Sequence, residues 1–292
     1  MRSFSEYNPI IITIWFFSVT GIAMFCNYPL LMIMSLLGGI LFFILYNGTR
    51  HGNTHLFFII LFTVLALANP LVSHNGKTVL FVMNNNPITL EATLYGLNSA
   101  AMIIGVLYWF RSFSQIMTSE KLLYITGAFS PKLSLVLSMT LRYIPLFSRQ
   151  SSKINSAQTA MGLYKEDNFI DDIKGRFRVF SVMVTWALEN GIITADSMEA
   201  RGYGTGRRTQ MRRFCFLTSD ILFFIADLLL FGITSFAIGK KRLFFSFYPS
   251  ITFESPKIIG FAGLISYGIL IIMPMIIEMV VKIKWKYLRS AI

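Results

Sequence analysis

The chain has 292 residues, 54% hydrophobic and only 14% charged, with a net charge of +12. A soluble domain carries about 25% charged residues, so a surface built from this sequence cannot all face water. Basic excess alone admits nucleic acid or anionic lipid as a partner, but the long apolar runs point to a polytopic membrane protein with no nucleic-acid role. A helix needs about 20 apolar residues to cross a hydrocarbon core of about 30 Å. Six runs are suitable: residues 9–25, 29–46, 55–72, 92–110, 217–238 and 258–281. The first follows Arg2 in the manner of a secretory signal, yet no small-x-small cleavage pattern follows Ala23 and further spans come at once, so it is read as retained. Only Cys26, Asn27 and Tyr28 join it to the second run, which leaves one of the two tilted or re-entrant and the span count at six, give or take one. Residues 73–87 read as a loop with a short extended piece at 78–83, bounded by Gly76 and Asn84-Asn85-Asn86-Pro87.

The spans divide four and two around residues 111–216, which hold 15 of the 26 basic residues and eight acids. Residues 1–110 and 217–292 are therefore membrane regions and 111–216 a cytoplasmic region, by the positive-inside rule. Lys282, Lys284, Lys286 and Arg289 at the end of the chain agree, so both termini are expected in the cytoplasm, with Arg50 in an inner loop and Lys77 outside. Lys240, Lys241, Arg242 and Lys257 conflict with that topology, because it puts them outside; the larger basic block outvotes them. No internal repeat is evident.

Two long helical patterns fill the basic region. The first starts at Ser130-Pro131, an N-cap followed by a first-turn proline, passes Leu137, Leu141 and Ile144, meets a potential kink at Pro145 and continues to Gly162. The second starts near Asp171-Asp172, acids suited to a helix N-terminus. Ile173, Phe177, Phe180, Val184, Ala187, Gly191, Ala195 and Met198 recur on it with a period near 3.6. The row turns from bulky to small at Ala187, Gly191 and Ala195, a pattern that lets a second helix approach closely. It fits either an ordinary core stripe or two amphipathic helices crossing beneath the membrane. Gly202 suits a left-handed residue just past the last turn. Arg201 beside it, next to Arg207, Arg208, Arg212 and Arg213, either satisfies its own helix dipole or offers a planar guanidinium to a carboxylate on another protein.

The segment Ala195-Asp196-Ser197-Met198-Glu199-Ala200-Arg201-Gly202-Tyr203-Gly204, with Arg207-Arg208-Thr209 after it, resembles the second Ala-Arg-Gly motif of the transmembrane T subunit of energy-coupling factor (ECF) transporters, a branch of the ABC-type importers. Leu141-Arg142-Tyr143-Ile144-Pro145, Asn69-Pro70-Leu71, His74-Asn75-Gly76 and Asn86-Pro87-Ile88-Thr89 extend the resemblance over most of the chain. It implies an all-α polytopic protein of the prokaryotic plasma membrane with two long crossed cytoplasmic coupling helices. It further implies that each coupling helix ends in a motif whose arginine docks on one of two ATPase subunits, of A and A′ type. The spans would hold a substrate-binding S component for vitamin or metal-ion uptake. Carried over, Ala200, Arg201 and Gly202 form the second motif, and Ala160, Met161 and Gly162 stand where the first belongs. Met161 replaces the arginine; it can fill an apolar groove, with Lys153 or Lys165 supplying charge nearby, and the two contacts are then inequivalent.

The resemblance implies a non-catalytic subunit without cofactor, and the residues agree. Gly76-Lys77-Thr78 looks like the tail of a phosphate loop, but Leu71 occupies the position of its first glycine. Gly202-Tyr203-Gly204-Thr205-Gly206 does not follow a strand as a dinucleotide fingerprint would. His51 and His55 lack an acidic or thiol partner for a metal, and Cys26 and Cys215 imply neither a disulfide framework nor a thiolate site. Asp220, Asp227 and Glu278 fall within spans, where acids are costly. Arg212, Arg213 and Lys282 are placed to neutralise Asp220 and Glu278. Asp227 lies deeper, and it supports an alternative in which the chain is a stand-alone ion-coupled secondary transporter.

Overall fold

The computed structural model describes residues 2–48, 52–73, 76–83, 86–163, 169–206, 214–248, 251–253 and 256–290. Arg50, His51, His74, Asn75, Asn84 and Asn85, singled out above, lie outside these residues. A 3-10 turn at Phe4–Glu6 leads into α1 (Pro9–Phe25), α2 (Pro29–Asn47) and α3 (Gly52–Val72). An antiparallel hairpin, β1 (Val79–Met83) and β2 (Asn86–Thr89), precedes α4 (Leu90–Ile116), α5 (Ser119–Phe129), α6 (Pro131–Ala160) and α7 (Phe169–Ala200). The chain continues as α8 (Thr218–Gly239), a two-residue pairing of β3 (Phe245–Ser246) with β4 (Thr252–Phe253), and α9 (Ile258–Ser290). The protein is all-α and polytopic: α2, α3, α4, α8 and α9 are long and apolar enough to cross a membrane, and α1, at 17 residues, is a shorter apolar helix. All six expected runs are helical, and 78–83 falls on the first strand of the hairpin.

Local chemistry sets the ends of these helices. Proline opens α1 and α2, where its missing N–H costs nothing. Asn8 Oδ1 accepts from Ile10 N at 3.1 Å, and Thr89 Oγ1 accepts from Ala92 N at 3.3 Å, each satisfying a first-turn amide. The helix α4 continues to Ile116, beyond the apolar run that ended at residue 110.

Met1–Leu122 with Phe214–Ile292 form one compact unit and Leu123–Arg213 a second. In the first, α4 packs against α2 and α3, α9 against α8 and α2, and α1 against α4 and α8. Lipid tails are as apolar as leucine, so close packing and internal hydrogen bonds hold such helices together. Two glycines make the α2–α4 approach possible: a Cβ at Gly39 would stand 3.1 Å from Tyr108 Cβ, and one at Gly105 would stand 3.4 Å from the Leu36 backbone. The centre is aromatic. Trp15 meets Trp109 edge-on at 5.5 Å and Phe4 at 5.3 Å, and Phe42 lies 5.6 Å from Trp109. Phe4 thereby seals the 3-10 turn into the bundle. Lys121 Nζ donates to Ser5 O at 2.6 Å and Ile116 O at 2.8 Å, and Glu278 Oε2 accepts from Phe4 N at 3.2 Å. Burial lowers the pKa of the Lys121 ammonium from its ordinary value.

Proline inside a helix frees the carbonyl four residues earlier. In α9, Pro274 leaves Leu270 O without its intrahelical donor, and Trp15 Nε1 on α1 donates to that oxygen at 3.1 Å. Ser35 Oγ accepts from Trp109 Nε1 at 3.2 Å, and Tyr267 OH donates to Val19 O at 3.3 Å. Each of these buried donors joins two helices.

The second unit holds most of α5, with α6 and α7. The sequence reading missed the 11-residue α5, because its apolar residues, Leu122, Leu123, Tyr124, Ile125, Ala128 and Phe129, form a run too short to stand apart from its neighbours. Ser130 occupies the N-cap position of α6 with extended backbone, but its side chain makes no cap bond. The helix α6 continues through Pro145 to Ala160.

Trp15→Phe is expected to destabilise the purified protein by about 1–2 kcal/mol in a denaturation titration, since one buried carbonyl loses its donor. Pro274→Ala restores an N–H to that carbonyl, so the double variant should lose less than the sum of the two single changes.

Candidate functional site: two matched helix tips

The distal ends of α6 and α7 share one backbone arrangement. At the end of α6, Met161 N donates to Ala157 O at 3.1 Å, Gly162 N to Thr159 O at 3.0 Å and Leu163 N to Gln158 O at 3.2 Å. At the end of α7, forty residues later, Arg201 N donates to Ser197 O at 3.2 Å, Gly202 N to Glu199 O at 2.8 Å and Tyr203 N to Met198 O at 3.0 Å. Gly162 and Gly202 are left-handed, with φ of 66° and 81°. This is the Schellman termination, which satisfies orphan carbonyls and favours glycine at the left-handed position. Ala160 and Ala200 are the last helical residues, and Met161 and Arg201 occupy the same position on the two tips.

Both position-matched side chains face outward. Met161 is 66% exposed, and Arg201 is exposed without an ion pair among the described residues. An exposed guanidinium at this position is open to an acceptor from solvent or another chain. Lys165, Arg207, Arg208, Thr209, Arg212 and Arg213 lie outside the described residues. Lys153 is exposed on α6.

Closer to the middle, α6 and α7 meet through larger side chains. The Tyr143 and Thr194 hydroxyls are hydrogen-bonded at 2.8 Å, and the Phe147 ring meets Trp186 edge-on at 5.6 Å. Ala187 borders an open groove of about 1090 Å³ between the two helices. Gly191 and Ala195 are exposed, and a Cβ added at Gly191 would touch nothing within 4 Å. The contact thus runs through Trp186 and Thr194, one position before Ala187 and Ala195. Periodicity could not separate these neighbouring faces. Phe177, Phe180, Leu188 and Ile192 are all more than 60% exposed, so α7 carries an uncovered apolar surface.

The other singled-out groups are engaged locally. Lys77 N and Thr78 N donate to the Glu91 carboxylate at 3.3 Å, and Thr78 Oγ1 donates to it at 2.8 Å. The amides that resemble a phosphate loop thus hold a carboxylate of their own chain. His55 Nδ1 pairs with the Tyr108 hydroxyl at 3.0 Å. Among the described residues no three His, Cys, Asp or Glu side chains converge as metal ligands. Asp220 Oδ2 accepts from Leu217 N at 3.2 Å, closing the first turn of α8. Asp227 Oδ2 lies 3.4 Å from Ser18 Oγ on α1, while Ser18 Oγ also reaches Ile14 O at 2.9 Å. The other Asp227 oxygen has no partner among the described residues.

The sequence pattern of the cobalt transport protein family, CbiQ, matches residues 2–212, well over half of the chain. The chain belongs to that family. Three curated relatives are energy-coupling factor transporter transmembrane proteins. EcfT of Streptococcus thermophilus is 32% identical over 101 residues, 34% of this chain and 38% of the relative. EcfT 1 of Listeria monocytogenes is 28% identical over 138 residues, covering 47% and 46%. EcfT of Streptococcus equi subsp. equi is 27% identical over 245 residues, covering 78% and 86%. The first two alignments span less than half of the relative's length. The family match includes both helix tips and stops before α8, so Asp227 lies outside it.

Gly202→Ala and Gly162→Ala each place a Cβ on a left-handed residue, at a cost of about 1 kcal/mol at the helix end. Amide hydrogen exchange is expected to rise over the last turn of the altered helix only, with the spans unchanged.

Proposed function

We propose that this CbiQ-family chain is the T component of an ECF-type importer, a non-catalytic scaffold that carries movement of partner ATPases to a substrate-capturing S component. The observation that carries this reading is the pair of matched tips, each presenting one outward side chain at the same point of an identical termination. Two repeated handles suit a motor made of two similar subunits. Arg201 supplies a charge-assisted, bidentate contact to an acidic groove, whereas Met161 supplies a deformable apolar contact. The unlike side chains favour two non-identical ATPases, each accepting one tip.

Nucleotide-driven closure of the ATPases would move the tips, and the Tyr143–Thr194 and Phe147–Trp186 contacts would act as the pivot. The uncovered apolar surface of α7 would face the S component or the membrane, and the small-residue row at Ala187, Gly191 and Ala195 would admit a close neighbour there. Residues 111–216 are cytoplasmic in this reading, as are both termini, and ATP is hydrolysed on the partners. The family's description favours a micronutrient cargo, a metal ion or a vitamin, selected by the S component.

Arg201→Ala is expected to abolish ATPase copurification and substrate uptake, while the chain still inserts and purifies in normal yield. Met161→Ala should weaken copurification several-fold less. Unchanged uptake and copurification in Arg201→Ala would overturn the docking role.

The partnerless Asp227 oxygen favours one competing reading, ion-coupled transport by this chain alone. The Ser18 contact argues instead for a bond between α1 and α8. Asp227→Asn keeps a polar group able to bond Ser18, so uptake is expected to persist at about the unmodified rate and to depend on ATP. Loss of uptake in that variant, together with dependence on an ion gradient, would favour the carrier.

A further inference from the structure

A cleft of about 590 Å³ opens beside the amino-terminal 3-10 turn, with Ser3 and Glu6 on one wall and Lys282, Trp285, Lys286 and Arg289 of α9 on the other. We propose that this cleft binds the headgroup of one anionic phospholipid. Lys282, Lys286 and Arg289 would hold the phosphate, and Trp285 would rest at the boundary with the acyl chains.

Depth along α9 selects a lipid rather than a soluble anion. Residues 258–277 carry no charge, and at about 1.5 Å per residue they fill a hydrocarbon core of about 30 Å. Glu278 follows at the core's edge, and the three cations lie within the next three turns. Lysine and arginine stems reach back toward the interface from such positions. Trp285 is 61% exposed, and an uncovered indole about two turns past the core lies on the side where aromatic anchors ring the headgroups.

Charge and rigidity agree. Lys282, Lys286 and Arg289 make no ion pair among the described residues, so their charges face the cleft and solvent. Glu278 is nearly buried, and its carboxylate is engaged by Phe4 N. Glu6 is exposed on the opposite wall, leaving the cleft net basic. That wall is fixed, because Lys121 grips Ser5 O and the ring of Phe4 is sealed into the aromatic centre. A preformed wall lowers the ordering cost of binding. The three cations and Trp285 lie beyond residue 212, outside the stretch that matches the family, whereas Ser3 and Glu6 lie within it.

Native mass spectrometry of the full chain, exposed to equal amounts of phosphatidylglycerol and phosphatidylcholine, tests the site. One phosphatidylglycerol should be retained with an enrichment of at least about tenfold, since each basic side chain near a membrane surface strengthens anionic-lipid binding by roughly fivefold. The variant with Lys282→Gln, Lys286→Gln and Arg289→Gln should lose the enrichment. The variant with Lys240→Gln, Lys241→Gln and Lys257→Gln, which removes the same charge elsewhere, should keep it. Equal retention of the two lipids by the unmodified chain overturns the proposal without recourse to any variant. Enrichment that survives in the first triple variant, or is lost equally in both, also overturns it. Displacement of the lipid by excess inorganic phosphate would identify a free-anion site and count against it as well.

Discussion

A hydrocarbon interior offers no water to a freed backbone group, so each carbonyl exposed by a proline needs a partner from the protein. Trp15 meets that requirement for Leu270, and much else follows from its position. The same indole sits at the aromatic centre with Phe4, Phe42 and Trp109. One side chain therefore fixes α1 to α9 at the turn before Pro274 and packs it on α2 and α4. The short α1 has less length than its neighbours over which to gain packing energy, and this polar anchor locates it. At Pro70 of α3 the solution differs. A Cβ at Gly96 of α4 would stand only 2.7 Å from Ala66 O, the carbonyl that Pro70 frees. The bare glycine lets the neighbouring helix close over that oxygen, where Cα–H contacts can compensate in part.

The membrane helices were legible because hydrophobicity over about 20 residues is a strong signal that tertiary context seldom reverses. Helix ends were less so. The helix α4 runs on through Arg111 to Ile116, since a helix leaving the core continues while its residues have adequate propensity. The short α5 was not anticipated, because 11 residues make only about three turns, too few repeats to separate a helix from a connecting segment. On α7 the stripe is helical as expected, but the contact with α6 uses Trp186 and Thr194. Neighbouring positions differ by about 100° around a helix, and only the partner's placement decides which of two adjacent faces is covered. The terminations were more legible: Gly202 was placed by the rule that a left-handed residue ends a helix, and it is left-handed, as is Gly162, to which the first pattern was traced.

The two tips show how one backbone geometry can carry unequal chemistry. Each Schellman turn is set by the glycine and by three backbone hydrogen bonds, none of which involves the side chain before the glycine. That position is free to vary without cost to the turn, so methionine and arginine are equally compatible with it. Geometry gives both tips the same reach; the side chains differ in what they can hold. A guanidinium requires a carboxylate or carbonyl acceptors in a particular plane, whereas a thioether requires only an apolar recess. Met161 thus offers no directional bond, whereas Arg201 does.

The surface of α7 constrains what the second unit can be. An isolated helix gains little stability in water from propensity alone and depends on packing of its apolar face. Phe177, Phe180, Leu188 and Ile192 are exposed along 32 helical residues, and their partners within α6 are few. Contiguous apolar surface of this kind marks a site of protein or membrane contact rather than a solvated face. Arg176 and Asp172, paired at 3.0 Å, are solvent-compatible groups at the start of the same helix, so its amino-terminal end can stay wet while its middle cannot. The helix is therefore suited to lie against another apolar body along its length while its far tip, with the exposed Arg201 and the left-handed Gly202, is compatible with water.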